Sequence, residues 1–336
     1  MRNAIVLAAG KGTRMKSETS KLMHPIIDRP MLGYIIDALR AVHVNRIAIV
    51  VGYQAQSIMD AYPDCEFAMQ MPQLGTGHAV MQCKQLENEQ GQTVIINGDG
   101  PCIQPETLEN LFKANENASC TLLTSVLEDG AHYGRIVRDE NGDVQAIVEA
   151  KDCNEDQKLI CEINAGMYCF NNKDLFKNLH LLQPNNKQNE YYLTDMVKIL
   201  ASQGKKVNGI VIENRDEVMG INDCVELHKA YEWMTNRINT NWMKEGVQII
   251  DSKRTMIGKD VVIGHDVVIY PNVEITGKTV IGNHVTIYGN STIQDSIIED
   301  GACIDNSKVV NSVVQKNQKV GPFEFKNGNG LNIKNV

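Results

Sequence analysis

The sequence predicts an α/β domain followed by a short parallel β-helix, with a helix between them. Through the first half, short apolar runs alternate with amphipathic segments, at residues 3–7, 31–42, 47–51, 54–61 and 93–96. That alternation is the pattern of βαβ units and of a mostly parallel sheet flanked by helices. Further on, Ile257, Ile263, Ile269, Ile275, Ile281, Ile287 and Ile293 fall at a strict interval of six. A hexapeptide repeat builds a parallel β-helix in which one apolar side chain per hexad points inward and three hexads close a triangular coil. Between the two regions, Leu227, Tyr231, Met234, Ile238 and Trp242 recur at helical spacing over residues 223–245. The expected division is a domain over 1–222, a linker helix over 223–246 whose stripe is packed core, and a β-helix over 247–336.

A chain of 336 residues suits about two domains. Its 43% hydrophobic and 22% charged residues are those of a folded globular protein, which argues against disorder or fibres. A net charge of -8 with no clustered Lys and Arg argues against a nucleic-acid partner, because displacing backbone counterions needs such clusters. A nucleotide is still compatible, provided local cations and backbone amides neutralise its phosphates. No apolar run approaches the length of a membrane span, and the N-terminus turns polar after one strand, so neither insertion nor export is expected. Nine cysteines, an odd number and without zinc spacing, read as reduced and mostly buried thiols of a cytoplasmic protein.

Residues 120–170 are richer in strands, and the Asn141-Gly142-Asp143 turn suits an antiparallel pair. Such a portion would overhang the crevice beyond the strands' carboxyl ends, where α/β sheets bind ligands. In the repeat region, Gly258, Gly264 and Gly282 are expected where the chain turns a corner with positive φ. The register is expected to slip at Ile298, Ile304, Val309 and Val320, leaving about three coils and a frayed end without clear repeat.

The chemistry is carried by Leu7-Ala8-Ala9-Gly10-Lys11-Gly12-Thr13-Arg14-Met15, directly after the first strand. Small residues let backbone N–H groups approach phosphate oxygens, and Lys11 and Arg14 add positive charge. The loop is not a dinucleotide fingerprint, because Met15 stands where a third glycine is needed, and no GxxxxGK[ST] sequence occurs. Taken alone, GxG after a strand is as often a tight turn, and Asp99 after a strand as often a helix cap. His24 and His78 have no metal-ligand partner at useful spacing and read as structural.

The company of the loop is more specific: Lys21 and Pro25, Gln70, the segment Gln73-Leu74-Gly75-Thr76-Gly77-His78-Ala79, and Asn97-Gly98-Asp99. With LAAGKGTRM, QLGTGHA, YGRI, VEAKD, EINAG, EYYLTD and GIND in that order, residues 1–325 resemble the bacterial N-acetylglucosamine-1-phosphate uridylyltransferases, the pyrophosphorylase half of a bifunctional enzyme. The resemblance implies a Rossmann-like, glycosyltransferase-A-like nucleotidyltransferase domain and a left-handed β-helix. It implies that UTP and N-acetyl-α-D-glucosamine 1-phosphate give UDP-N-acetylglucosamine and pyrophosphate, for cell-wall peptidoglycan and amino-sugar synthesis. Arg14 and Lys21 would be catalytic on the triphosphate; Leu7, Ala8, Ala9, Gly10, Gln70, Gly75 and Thr76 would bind the nucleotide. Gly134, Glu149, Asn164 and Thr194 would hold the sugar, and Asp99 and Asn222 would bind Mg²⁺. These residue types suit the tasks, since carboxylate and amide oxygens are hard ligands and Gln offers the donor–acceptor pair of a pyrimidine edge.

Two departures stand out. The family's Tyr-Gly-Asp is Asn97-Gly98-Asp99 here, and where the family has Gly-Pro-Phe followed by two arginines this chain has Gly321-Pro322-Phe323-Glu324-Phe325-Lys326-Asn327. Family members continue for further coils that hold acetyl-CoA and glucosamine 1-phosphate between subunits of a trimer, so acetyltransferase activity is expected to be absent. A homotrimer through the flat faces of the coils is compatible with the repeat. Two alternatives remain at this point. One is a nucleotidylyltransferase for another pair, such as glucose 1-phosphate with UTP or dTTP; the other is a non-catalytic scaffold, which should have lost some of Arg14, Lys21, Asp99 or Asn222.

Overall fold

A computed structural model describes residues 1–128, 130 and 132–328. The chain separates into two compact units: Met1–His24 with Pro30–Glu226, and Pro25–Arg29 with the chain from Leu227 onward. Residues 329–336, the larger part of the tail expected to lack a repeat, lie outside the described residues.

The first unit is built on one mixed sheet. Its strands are β1 (Arg2–Ala8), β2 (Arg46–Val51), β3 (Glu66–Met69), β4 (Gln92–Asn97), β5 (Cys120–Val126), β6 (Arg135–Arg138), β7 (Val144–Val148), β8 (Glu162–Asn171) and β9 (Val207–Val211). The order across the sheet is β9-β5-β8-β4-β1-β2-β3, with β6 beside β8 and β7 beside β6. β1 pairs in parallel with both β2 and β4, and β2 with β3. β8 runs antiparallel to β4, β5 and β6, which pairs in turn with β7, as the strand-rich stretch predicts.

The parallel strands read as continuous apolar runs because both faces are covered. Ile5 and Ile95 belong to one core cluster, whereas Ala4, Val6, Val94 and Ile96 belong to the other. The covering helices include α1 (Met31–Ala41), α2 (Ala55–Ala61), α3 (Thr76–Met81), α4 (Pro105–Ala114) and α7 (Asp195–Ser202), with the short α5 (Glu155–Lys158) and α6 (Asn172–Asn178) between. β1 and β4 end side by side, so the loops after Ala8 and Asn97 meet at one edge. All nine cysteines are free thiols, and burial pushes the Cys83 and Cys102 thiols up to about 12.

A long helix, α8, spans Cys224–Lys244. Its buried residues are Ala230, Met234, Thr235 and Asn239, so the expected stripe is rotated and only Met234 of it is buried, the rest being half-buried. The polar Asn239 sits inside because its Nδ2 donates to the carbonyls of Ser252 and Thr255, both at 2.8 Å. Ile238 and Trp242 pack at the edge of the β-helix core.

The β-helix is left-handed, with three parallel sheets of five, five and four short strands. The isoleucine ladder fills its axis: Ile257, Ile269, Ile275, Ile287 and Ile293 are fully buried. Two expectations about the coils are corrected. Among the described residues there are four complete coils and two strands of a fifth, not about three. Ile298, Ile304, Val309, Val314 and Val320 are buried and stay in the ladder, with Ile293 stacked on Val309 and Ile298 on Val314. The spacing falls from six to five because corners shorten. Gly277-Lys278-Thr279 in one coil becomes Asp295-Ser296 and then Asn311-Ser312 above it. In the two-residue corners, Ser296 and Ser312 donate back to the carbonyls of Gln294 and Val310, at 2.7 and 2.8 Å.

The second correction concerns glycine. Positive φ falls on Asp266, Asn272, Gly277, His284, Asn290, Asp295, Gly301, Asn306, Asn311, Asn317, Gly321 and Phe323, not on Gly258, Gly264 or Gly282. Asn and Asp adopt the left-handed region at little cost. The glycines that follow the isoleucines are there for space. A Cβ on Gly282 would lie 2.7 Å from Asp300 Oδ1 and 2.9 Å from its backbone nitrogen in the next coil.

Candidate functional site

The site of the first unit forms where β1 and β4 end and where the antiparallel strands overhang them. A cleft of about 440 Å³ is lined by Arg14, Thr76, Asp99, Gly134, Glu149, Asn164, Thr194 and Asn222, among others. Eight of the residues singled out in the sequence thus share one cavity.

At its centre, Lys21 Nζ donates to Asp99 Oδ2 at 2.7 Å and to Asn222 Oδ1 at 3.2 Å. Residues almost eighty and two hundred positions apart meet at one ammonium group. Two hard oxygens converging on one cationic point are what a divalent cation that keeps some of its waters requires, so this donor set fits Mg²⁺. Asn222 is fixed from behind: its backbone N–H donates to Glu226 Oε2 at 2.6 Å, and its loop is tied to Asp99 by the Ile221 N–H at 2.9 Å.

The glycine loop leaves the sheet after Ala8. Leu7 and Ala8 are strand residues, and the Leu7 carbonyl accepts from Gly98 at 2.9 Å, which ties the loop to the Asp99 segment. What is left for a ligand begins at Ala9. Gly10 is exposed, and nothing lies within 4 Å of the place a Cβ would take. No protein contact therefore demands glycine there; close approach by something outside the chain would. Gly12 is different: its φ is +60°, and a Cβ would stand 2.6 Å from Lys21 Cβ, so the loop and Lys21 are in register only with glycine. Arg14, on the single turn Thr13–Met15, reaches the cleft.

Gln70 is buried, with Nε2 donating to the Gly75 carbonyl at 3.0 Å and facing His78 Nδ1 at 3.3 Å. Thr76 Oγ1 accepts from the Leu193 N–H at 3.0 Å, which links the first turn of α3 to the segment before α7. Gln70, Gly75 and the loop residues Leu7 to Gly10 do not line the large cleft itself; they flank it. Gln73, which the sequence reading did not assign, donates through Nε2 to the Ala9 carbonyl and joins the two loops.

On the other side, β8 carries an irregularity between Asn164 and Tyr168, with Gly166 at φ +74°. The bulge aims Asn164, Ala165, Gly166 and Met167 into the cleft. Asn164 Nδ2 donates to Tyr168 Oη at 2.6 Å, and the Asn164 N–H donates to the Gly134 carbonyl at 2.8 Å. The Thr194 hydroxyl donates to Glu149 Oε1 at 3.0 Å. His132, Tyr133, Tyr168 and Glu226 also line the cleft. Sequence reasoning missed them. Only Glu226 left a trace there, as the acid three residues after a helix-capping Asp223.

Burial pushes the Glu149 carboxyl above the ordinary carboxylate range; the Thr194 hydrogen bond pulls it down, and Asp152 and Asp195 push it up again. A carboxyl held neutral more readily when folded adds stability that is complete below the unfolded pKa of about 4.3 and is lost as pH rises through the raised one. The Glu149→Gln protein should lack that dependence. Its stability relative to wild type, read from urea midpoints, is expected to rise with pH from about 4.3 upward and then level off. A difference independent of pH would contradict the burial argument.

The sequence matches the MobA-like NTP transferase domain over residues 4–189. It is also 44% identical over 337 residues to the bifunctional protein GlmU of Clostridioides difficile (strain 630), covering 98% of this chain and 73% of the relative. The bifunctional proteins GlmU of Limosilactobacillus reuteri and Enterococcus faecalis are each 44% identical, covering 96% of this chain and 71% of each relative. The chain belongs to the GlmU family. As a member it is a nucleotidyltransferase, a UDP-N-acetylglucosamine pyrophosphorylase that transfers a uridylyl group to a sugar phosphate. Nucleotidyltransferases of this family generally use a divalent metal, and the cleft presents oxygen atoms of Asp99, after β4, and of Asn222, before α8. Among the described residues no helix is long and apolar enough to cross a membrane.

Proposed function

We propose that this chain joins UTP to N-acetylglucosamine 1-phosphate in the cytoplasm, in a Mg²⁺-dependent reaction, with the roles distributed as the cleft suggests. An oxygen of the sugar phosphate attacks the α-phosphorus of UTP, the bond to the β-phosphate breaks, and pyrophosphate leaves. No covalent enzyme intermediate is needed, so catalysis consists of holding two anions in line and stabilising the charge that spreads between them. The observation that carries this reading is the meeting of Lys21, Asp99 and Asn222 at one point beside the cleft.

Asp99 and Asn222 would hold Mg²⁺, which supplies positive charge to the phosphate oxygens. Lys21, which spans both side chains, would exchange those hydrogen bonds for phosphate oxygens, and Arg14 would approach the triphosphate from the loop. The open Gly10 backbone supports a close phosphate. Gln70 is set to read the uracil edge with Gly75 and Thr76, while Gly134, Glu149, Asn164 and Thr194 form a polar wall suited to hydroxyls and an acetamide. Asn97, in place of the family's tyrosine, lines the same cleft, and a Cβ on Gly166 would stand 2.7 Å from its Nδ2. That short polar floor favours a second reading, in which other sugar 1-phosphates are also accepted.

The proposal extends to a lack of acetyl transfer, supported by Glu324 and Phe325. Where the family has two arginines after Gly-Pro-Phe, this chain has Glu324-Phe325-Lys326-Asn327, and Glu324 accepts from the Gly321 N–H at 3.1 Å. A homotrimer through the β-helix is part of the same reading. The test is pyrophosphate release by the purified chain across a panel of nucleoside triphosphates and sugar 1-phosphates, with and without Mg²⁺. UTP with N-acetylglucosamine 1-phosphate should exceed every other pair. A higher rate with another pair would replace the substrate assignment, and acetylation of glucosamine 1-phosphate from acetyl-CoA would overturn the second claim.

A further inference from the structure

At one corner of the β-helix a histidine takes a left-handed position of the kind mostly held by Asn, Asp and Gly. The strands Val262–Ile263 and Val280–Ile281 pair in register, so Asp266 lies directly beneath His284 one coil above, and His265 beneath Asn283. Asp266 and His284 both take the left-handed conformation, with φ of 56° and 57°. The next residues up this column are Gly301 and Asn317, with φ of 69° and 58°. Asn, Asp and Gly are the residues such a corner calls for, and histidine is the exception among these four positions.

The imidazole is placed where it meets other ligands. His265 Nδ1 lies 2.8 Å and His284 Nδ1 3.5 Å from the same atom, Asp266 Oδ2. The two rings stand edge to face, at 89° and 5.0 Å between centroids, so both nitrogens face the carboxylate. All the ligand atoms lie within 4.8 Å of one another. The backbone holds them there, with the His284 N–H on the His265 carbonyl at 3.0 Å and the His265 N–H on Asn283 Oδ1 at 3.1 Å. Exposed as it is, this trio would contribute little as an ordinary surface ion pair.

The geometry points to a binding site for a late first-row divalent cation, zinc above all, held by His265, Asp266 and His284 across the first two coils. Two imidazoles and a carboxylate are ligands that zinc accepts at about 2.0–2.2 Å, which sets them roughly 3.3 Å apart around a tetrahedron. The two histidine–carboxylate edges, at 2.8 and 3.5 Å, bracket that spacing, and the third edge is no longer than 4.8 Å. The three side chains leave a fourth position for water. Magnesium prefers oxygen ligands and would not compete here. The site is separate from the nucleotide cleft and does not depend on the substrate assignment. Such an ion would clip the first two coils together at this corner.

The test uses the full chain, stripped with a chelator and titrated with zinc chloride alone. Two variants keep the left-handed corner while removing a ligand: His284→Asn, which copies Asn317, and Asp266→Asn. Both should keep the wild-type melting transition, and pyrophosphate release should be unchanged. The wild type should take up one more equivalent of zinc than either variant, or bind that equivalent at least about tenfold more tightly. Cobalt(II) at the same site should give weak visible bands without intense sulfur-to-metal absorption. Equal zinc stoichiometry together with equal affinity in all three proteins would overturn the proposal. So would loss of the extra equivalent on replacing the exposed Cys161 and Cys224 with serine, because the ligands would then be thiolates.

Discussion

Turnover of the Asp99→Ala enzyme is expected to fall by about 10³-fold or more, with UTP binding far less affected. Asp99 brings a carboxylate to the end of β4, where Lys21 and Asn222 meet it. Removing it deletes the only formal negative charge of that trio and leaves the ammonium of Lys21, which is 13% exposed, with one neutral acceptor. On the roles proposed above, the cation-binding power of the point would be lost, and with it the neutralisation that the spreading phosphate charge demands. Asn222→Ala removes a neutral oxygen and should cost less, about 10- to 100-fold. Pyrophosphate release measured over a range of Mg²⁺ concentrations distinguishes the two, since Asn222→Ala should be partly rescued at high Mg²⁺ and Asp99→Ala should not. An Asp99→Ala enzyme within tenfold of wild type would remove the metal assignment.

The second large effect is expected from Gly75→Ala. Gly75 has a φ of +105°, and a Cβ there would lie 2.6 Å from the Tyr191 carbonyl oxygen and 2.9 Å from its nitrogen. Those two atoms are already in use: the Tyr191 N–H donates to Leu74 at 2.8 Å, and its carbonyl accepts from Gly77 at 2.7 Å. A methyl group therefore forces the two segments apart and leaves hydrogen bonds unmade. Backbone strain and those bonds together should destabilise the first unit by about 2–4 kcal/mol. The Gly75 carbonyl also fixes the buried Gln70 amide, so the KM for UTP should rise at least about tenfold while kcat changes less. A variant with the wild-type melting temperature and KM would show that Gly75 serves neither purpose.

The fold was legible wherever a residue's job repeats. Each coil asks the same thing of its inward position, so Ile257 to Ile293 announce the β-helix directly. The expected end of the ladder was wrong because a strict period of six cannot accommodate Asp295-Ser296 or Asn311-Ser312, where a corner drops one residue without moving the axis. The second period, of Asn, Asp and Gly at left-handed corners, was present in the sequence and would have corrected both the coil count and the role given to glycine. In α8, apolar identity marked a stripe, yet Asn239 is buried because two distant carbonyls await it, and no local pattern conveys that.

For the site, the ordered motifs named residues that do share a cleft, but not how they are held. Gln73 reaching Ala9 and Lys21 spanning Asp99 and Asn222 are contacts between segments far apart in the chain. Chain spacing carries no trace of them; they follow from the sheet order that sets β1 beside β4.

The unequal corners of the β-helix have a bearing on how its length can drift in evolution. Excising Lys278 would turn Gly277-Lys278-Thr279 into a pair resembling Asp295-Ser296 one coil above, and the inward Ile275 and Ile281 would keep their places. Losing one residue from a flat edge would instead reverse which side chains face the axis. Single-codon deletions should therefore be survivable at the vertices of the prism and lethal along its sides.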